Sequence, residues 1–174
     1  MEAGHSSTPL LPSELLETAR SLASPSSAPT DADLRRAVST AYYAVFHAVL
    51  TAGADRLFGA GRRGTAGYAI IYRSFDHGRL KRICEDVARS VLSPTLQRQL
   101  GRTLVHVDLR DFARSFVELQ DLRHRADYDP GIGLIQNDAF AAVDRAERAM
   151  SSLASAPDDE RSDLLALMLG GGRS

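Results

Sequence analysis

The sequence predicts an all-α fold, a helical bundle of five to six helices. Apolar residues recur at three- and four-residue spacing in several separate stretches. Strand-like alternation is confined to Leu104–Leu109, which is too isolated to build a sheet. Clusters of Ser, Thr, Pro and Gly punctuate the helical stretches where starts and stops are needed. With 44% hydrophobic residues over 174 positions, the chain has enough apolar matter for one core, and wholesale disorder is not expected.

Taken in order, Ser13 caps a first helix carrying Leu15, Leu16, Ala19 and Leu22, and Ser24 through Pro29 breaks it. Thr30 and Asp33 form a capping-box-like start to a longer helix that reaches Leu50 or beyond. Val38, Ala41, Tyr42, Val45 and Val49 make its apolar stripe. Arg36, Thr40, Tyr43 and His47 gather opposite, either as a wet surface or as a subunit or ligand face. Residues 53–67, rich in Gly and Arg, read as a loop. Its Gly59 to Gly64 segment matches G-x-G-x-x-G but lacks the preceding strand of a dinucleotide site. Its arginines, Arg62 and Arg63, remain able to hold a phosphate.

A third helix is expected from about Ser74, with Leu80, Ile83, Cys84, Val87 and Val91, ending before Ser93-Pro94. Another starts near Asp108, carries Phe112, Phe116, Leu119 and Arg123 on one face, and stops at Tyr128-Asp129-Pro130-Gly131. The next begins near Asn137 or Asp138 with Phe140, Val143, Ala146 and Met150. A last short helix holds Leu164, Leu165 and Leu167, and the terminal glycines fray. This divides the chain into an N-terminal helix and linker over 1–29, a bundle over 30–154, and a short helix with a flexible tail over 155–174.

Charge is uneven along the chain. Arg56 through Arg125 contains 14 Lys and Arg against 7 Asp and Glu, although the whole chain carries only −1. A basic middle between acidic ends hints at a phosphate-bearing partner, unless folding mixes the charges on one surface. The first residues lack a signal-peptide pattern, and no apolar run approaches the roughly 20 residues that span a bilayer. A reducing cytoplasm is the simplest compartment. The single cysteine, Cys84, allows no internal disulfide and reads as a buried structural thiol.

Arg123 is the informative oddity, a guanidinium where its helix face calls for a hydrophobe. Such a group must be paired or face a cleft. Asp127, one turn on, is the candidate partner. His124 and Tyr128 flank the same helix end, and arginine beside an imidazole suits a phosphodiester. His77 with Asp76, and His106 with Asp108, fit no established metal-ligand spacing, so no metal is expected. No cofactor motif is present either. The absence of G-x-S-x-G, H-E-x-x-H and P-loop patterns leaves hydrolase, zinc-protease and nucleoside-triphosphatase readings without support.

The run Arg35 to Ala48, R-R-A-V-S-T-A-Y-Y-A-V-F-H-A, resembles the R-x-x-x-S-x-A-Y-Y-A-x-F-H-A helix of bacterial HEPN-domain proteins. Leu119 to Tyr128, L-Q-D-L-R-H-R-A-D-Y, is similar to their second signature helix. The resemblance covers roughly residues 32–150. It implies a HEPN-like bundle forming a homodimer that binds RNA or nucleotide, and in active members a metal-independent ribonuclease site. Carried over, Arg123 takes the arginine place, His124 the polar place and Tyr128 the place of the final histidine. Because a phenol titrates near 10, Tyr128 is a poor general base, which leaves catalysis by Arg123, His124 and Tyr128 in question. Arg36, Tyr43, His47, Arg62, Arg63, Arg125 and Asp127 complete the expected binding set. The resemblance further implies a toxin or defence setting with a small nucleotidyltransferase as partner, Tyr128 being the candidate for modification. A catalytically silent protein-interaction module is the rival reading, with an active endoribonuclease third.

Overall fold

The computed structural model describes residues 11–24 and 27–170. Among them the chain forms eight α-helices: α1 Pro12–Ala23, α2 Asp31–Phe58, α3 Ala66–Tyr72, α4 His77–Val87, α5 Pro94–Leu100, α6 Val107–Tyr128, α7 Gln136–Ser155 and α8 Asp158–Leu169, with a 3₁₀ turn at Ala60–Arg62. No strand forms among the described residues, so the all-α expectation holds, with more helices than the five or six anticipated. Pro25, Ser26, Gly171 and Gly172, assigned above to a linker and a fraying tail, lie outside the described residues.

Helix α2 organises the bundle, contacting α1, α3, α6, α7 and α8. Alanines 37, 41, 44 and 54 are fully buried around it alongside Val38, Tyr42, Val45 and Val49. A helix apolar on nearly every side is one that lies inside a protein. Its length and a mean hydropathy of 1.2 over its best 18-residue window would also suit a membrane span, more than the sequence reading allowed, but 67% of that window is buried inside the bundle. The helix starts with the expected reciprocal cap. Thr30 Oγ1 accepts from the Asp33 amide at 3.2 Å, and the Asp33 carboxylate accepts from the Thr30 amide at 2.9 Å.

Against α2 lie α6, through Phe112, Phe116 and Leu119, and α7, through Ala142, Val143 and Ala146. Tyr42 and Phe116 meet ring to ring at 5.6 Å between centroids. Leu164, Leu165 and Met168 of α8 join the same core, as do Leu16 and Ala19 of α1. Buried Cys84 sits in that core, and desolvation pushes its thiol well above the usual range. A smaller cluster of Ala23, Leu34, Ala37 and Ala139 closes one end.

Several boundaries differ from expectation for identifiable reasons. Ser13 does not cap α1; Leu11 holds the cap position and Pro12 opens the helix, where its missing N–H costs nothing. The expected loop over 53–67 is instead the end of α2, a 3₁₀ turn and the start of α3. Helix α4 begins at His77, three residues later than anticipated, because Asp76 caps it, and it ends at Val87. Val91, assigned to its apolar stripe, is 52% exposed. Ser93-Pro94, read as a stop, is the start of α5: Ser93 accepts from the Leu96 amide and Pro94 takes the first turn.

Folding also mixes the charges. Arg102 of the basic middle reaches Asp159, Glu160 and Asp163 of the acidic end at 3.8, 3.2 and 2.7 Å. Arg56 pairs with Asp158 at 2.8 Å. The acidic run at 158–160 thus belongs to the fold.

Candidate functional site

Two one-turn pairs face each other where the first third of α2 crosses the end of α6. Ser39 and Tyr43 are four apart on α2; Arg123 and Asp127 are four apart on α6, so each pair shares a helix face. Arg123 sits beyond Phe112, Phe116 and Leu119, where the apolar face of α6 reaches the surface, and its side chain is 22% exposed. Its Nη2 donates to the Tyr43 hydroxyl at 2.7 Å. Its Nε lies 2.8 Å from Asp127 Oδ2, yet the N–H is not directed along that line, so the contact is an ion pair without a hydrogen bond. The other Asp127 oxygen accepts from Ser39 Oγ at 2.5 Å.

Burial works against the charge on Arg123, but the Tyr43 hydrogen bond and the neighbouring Asp127 charge outweigh it, and the group titrates above the usual arginine value. Among the described residues Nη1 has no partner, and it is not among the buried atoms. The guanidinium is therefore held at one edge and open at another. It lies 5.4 Å from the Tyr43 ring centre and 5.7 Å from that of Tyr128, within cation–π range of both.

Tyr128 ends α6 with 66% of its surface exposed, its ring 5.0 Å from that of His124. His124, Arg125 and Arg36 are all exposed. Arg36 lies two turns before Tyr43 along α2, about 10 Å along the axis, and with Arg125 it enters no ion pair among the described residues.

The remaining residues of the expected set lie elsewhere. His47 is half-buried, and its Nδ1 shares a 2.6 Å hydrogen bond with the Tyr72 hydroxyl; its place under α3 removes it from the open surface. Arg62 and Arg63 follow the far end of α2, about 20 Å along the helix from Tyr43. Arg63 is tied to Asp55. The structure brings Tyr43, Arg123, His124, Asp127 and Tyr128 together and leaves Arg62 and Arg63 apart from them.

Other residues of this region carry weight that the sequence reading did not assign. Arg35, not Arg36, fastens the end of α6: its guanidinium donates to the carbonyls of Ala126, Asp129 and Ile132 at 3.0, 2.9 and 2.9 Å. Tyr42 and His77 share a 2.7 Å hydrogen bond at Nδ1, and the His77 ring stacks on Phe46 at 3.7 Å. Burial, with the nearby Arg123 charge, holds His77 below the ordinary histidine value. The only local signal for His77 was its neighbour Asp76, whose carboxylate is occupied as the α4 cap at 2.8 Å from the Arg79 amide. Among the described residues no three His, Cys, Asp or Glu side chains gather as a metal site would need.

A cavity of about 510 Å³ lies among α1, α2, α7 and α8, apart from the Arg123 cluster. Comparisons of the chain with protein-family profiles, curated proteins and solved structures find no match.

Proposed function

We propose that the chain is a HEPN-like protein that binds RNA or nucleotide as a homodimer through the surface around Arg123. The single observation that supports this reading is the guanidinium itself, fixed by Asp127 and Tyr43, open at Nη1, and flanked by an exposed tyrosine. A prefixed guanidinium suits a phosphate oxygen, and the Tyr128 face suits a stacked base. Exposed Arg36 and Arg125 add positive charge along the same helices. A second copy laid against this open surface would turn it into a cleft.

Catalysis is a lesser part of the proposal. His124 is the exposed imidazole beside Arg123 and the residue that would take a proton in a degenerate ribonuclease centre. In a toxin or defence setting, Tyr128 is exposed enough for a partner nucleotidyltransferase to modify. The rival is a catalytically silent interaction module in which Arg123, Asp127 and Tyr128 would lock a dimer; a purely structural role within one chain has one observation in its favour. Ser39, Asp127, Arg123 and Tyr43 link α2 to α6 in a continuous chain, as a purely structural staple would.

Labelled RNA titrated with wild type and Arg123→Ala at two salt concentrations separates these readings. Binding is expected to weaken as salt rises, because neutralised phosphates release counterions, and to fall about tenfold or more in the variant. A variant that binds RNA as tightly as wild type, or a wild type that binds none, refutes the binding reading. A variant that instead loses assembly or stability supports the staple.

A further inference from the structure

His77 opens α4 in the seam between α2 and α6, beside the residues that fix Arg123. Gln120, one turn before Arg123 on α6, donates to the His77 carbonyl at 3.4 Å. Tyr43, whose hydroxyl holds Arg123, has its ring centre 6.2 Å from that of His77. The imidazole is fixed on two sides: it stacks on Phe46 at 3.7 Å, nearly parallel, and its Nδ1 shares a 2.7 Å hydrogen bond with the Tyr42 hydroxyl.

The surroundings decide which ring nitrogen carries the proton. Tyr42 is 1% exposed, and among the described residues its hydroxyl has no acceptor other than Nδ1. Burial pushes the phenol well above its usual value, so it keeps its proton. A buried O–H left without an acceptor is costly. Tyr42 is therefore the donor, and the proton of the neutral imidazole sits on Nε2. Neutral is the favoured form near neutral pH: burial first, then the Arg123 charge on α6, outweigh Asp76 at the helix start, and His47 on α2 acts in the same direction as Arg123. Among the described residues Nε2 has no partner, and it is not among the buried atoms. His77 thus presents a fixed, uncharged N–H beside a guanidinium that is also open at one nitrogen. Two such donors suit an anion with several acceptor oxygens, because each takes a different oxygen and only one brings a charge that must be desolvated.

We propose, resting on the RNA- or nucleotide-binding reading of this surface, that His77 belongs to the phosphate site at Arg123, its Nε2–H donating to one phosphate oxygen while Arg123 takes another.

Titration of the full chain with a labelled oligouridylate, alongside nitrogen NMR spectra of the imidazoles, tests it. In the free protein His77 is expected to be protonated at Nε2 and bare at Nδ1, and the Nε2 resonance is expected to move as the RNA saturates. His77→Phe keeps a ring against Phe46 but removes the donor, and is expected to weaken binding about tenfold. His77→Gln, which returns an N–H near the Nε2 position, is expected to recover most of that loss. Urea midpoints of the two variants separate binding from bracing, since affinity that follows stability instead of the donor overturns the assignment. Should His77→Phe fail to fold by circular dichroism, the wild-type Nε2 resonance decides. A resonance unmoved at saturation, a proton found on Nδ1, or His77→Phe binding as tightly as wild type while Arg123→Ala is weakened overturns the role of His77 and leaves the Arg123 reading standing. A wild type that binds no RNA, or Arg123→Ala that binds as tightly as wild type, refutes both.

Discussion

Ser39 shows how much a single small side chain carries. It is 4% exposed and the sole polar residue among the buried positions described, and its hydroxyl donates to an Asp127 oxygen. Ser39→Ala removes that donor while leaving Asp127 to Arg123. A hydrogen bond to a charged group contributes about 1.5 to 3 kcal/mol, discounted here for the partial exposure of Asp127, so a loss of about 1 to 2 kcal/mol is expected in urea unfolding. An unchanged midpoint would show that Asp127 is fixed by Arg123 alone.

Two half-buried histidines, His47 and His77, set a pH dependence. Burial lowers the pKa of His47, and burial together with the Arg123 charge lowers that of His77. Between the lowered folded values and the unfolded value near 6.5, the unfolded chain binds more protons. Stability is therefore level above about pH 6.5 and falls as pH drops below it. Asp55 and Asp158, whose partners hold them below the ordinary 3.8, act in a separate window at lower pH. Thermal melts from pH 7.5 to 5 should show the decline, and His77→Gln should flatten it. An equal slope in that variant would remove His77 from the account.

At the scale of the element, Gly53 is the instructive residue. The glycine-rich composition after it reads as a loop, yet it lies inside α2, where helix propensity disfavours it by about 1 kcal/mol relative to alanine. The reason is tertiary: a β-carbon there would fall 2.3 Å from Cζ of Phe75, itself buried. Gly53→Ala gains propensity but overpacks a buried ring, a change that typically costs about 1 to 3 kcal/mol, so a net loss of up to about 2 kcal/mol is expected. Pairing it with Phe75→Leu should recover part of the loss; a stabilised single variant would mean that the ring moves aside freely. The same contrast explains what was legible. Thr30 with Asp33, and the Phe112, Phe116 and Leu119 face, are local patterns readable from spacing. Residues 66–72 and 94–100 form helices too short for periodicity to mark, and their caps at Thr65 and Ser93 were the available signals. The Arg123–Asp127 pair was readable as one helical turn. The Ser39–Asp127 and Tyr42–His77 contacts join residues 88 and 35 positions apart, and no local spacing encodes them.

For the whole molecule, the open question was whether the acidic end is an appendage or part of the body. Helix α8 places Leu164, Leu165 and Met168 at 3%, 4% and 0% exposure against α2 and α4. Each such side chain contributes about 1.5 to 3 kcal/mol by burial, so α8 as a whole is comparable to the 5 to 15 kcal/mol that separates a folded domain from its unfolded chain. The Arg102 ion pairs at its start are partly exposed, and pairs of that kind contribute about 1 kcal/mol or less. The two contributions are separable. A chain ending at Pro157 is expected to lose cooperative urea unfolding, because it uncovers apolar surface on both α2 and α4. Arg102→Ala should unfold cooperatively within about 1 kcal/mol of wild type. Cooperative unfolding of the shortened chain near the wild-type midpoint would make α8 dispensable. A collapse of Arg102→Ala instead would assign the attachment of α8 to its charges, since the apolar face of the helix is intact in that variant.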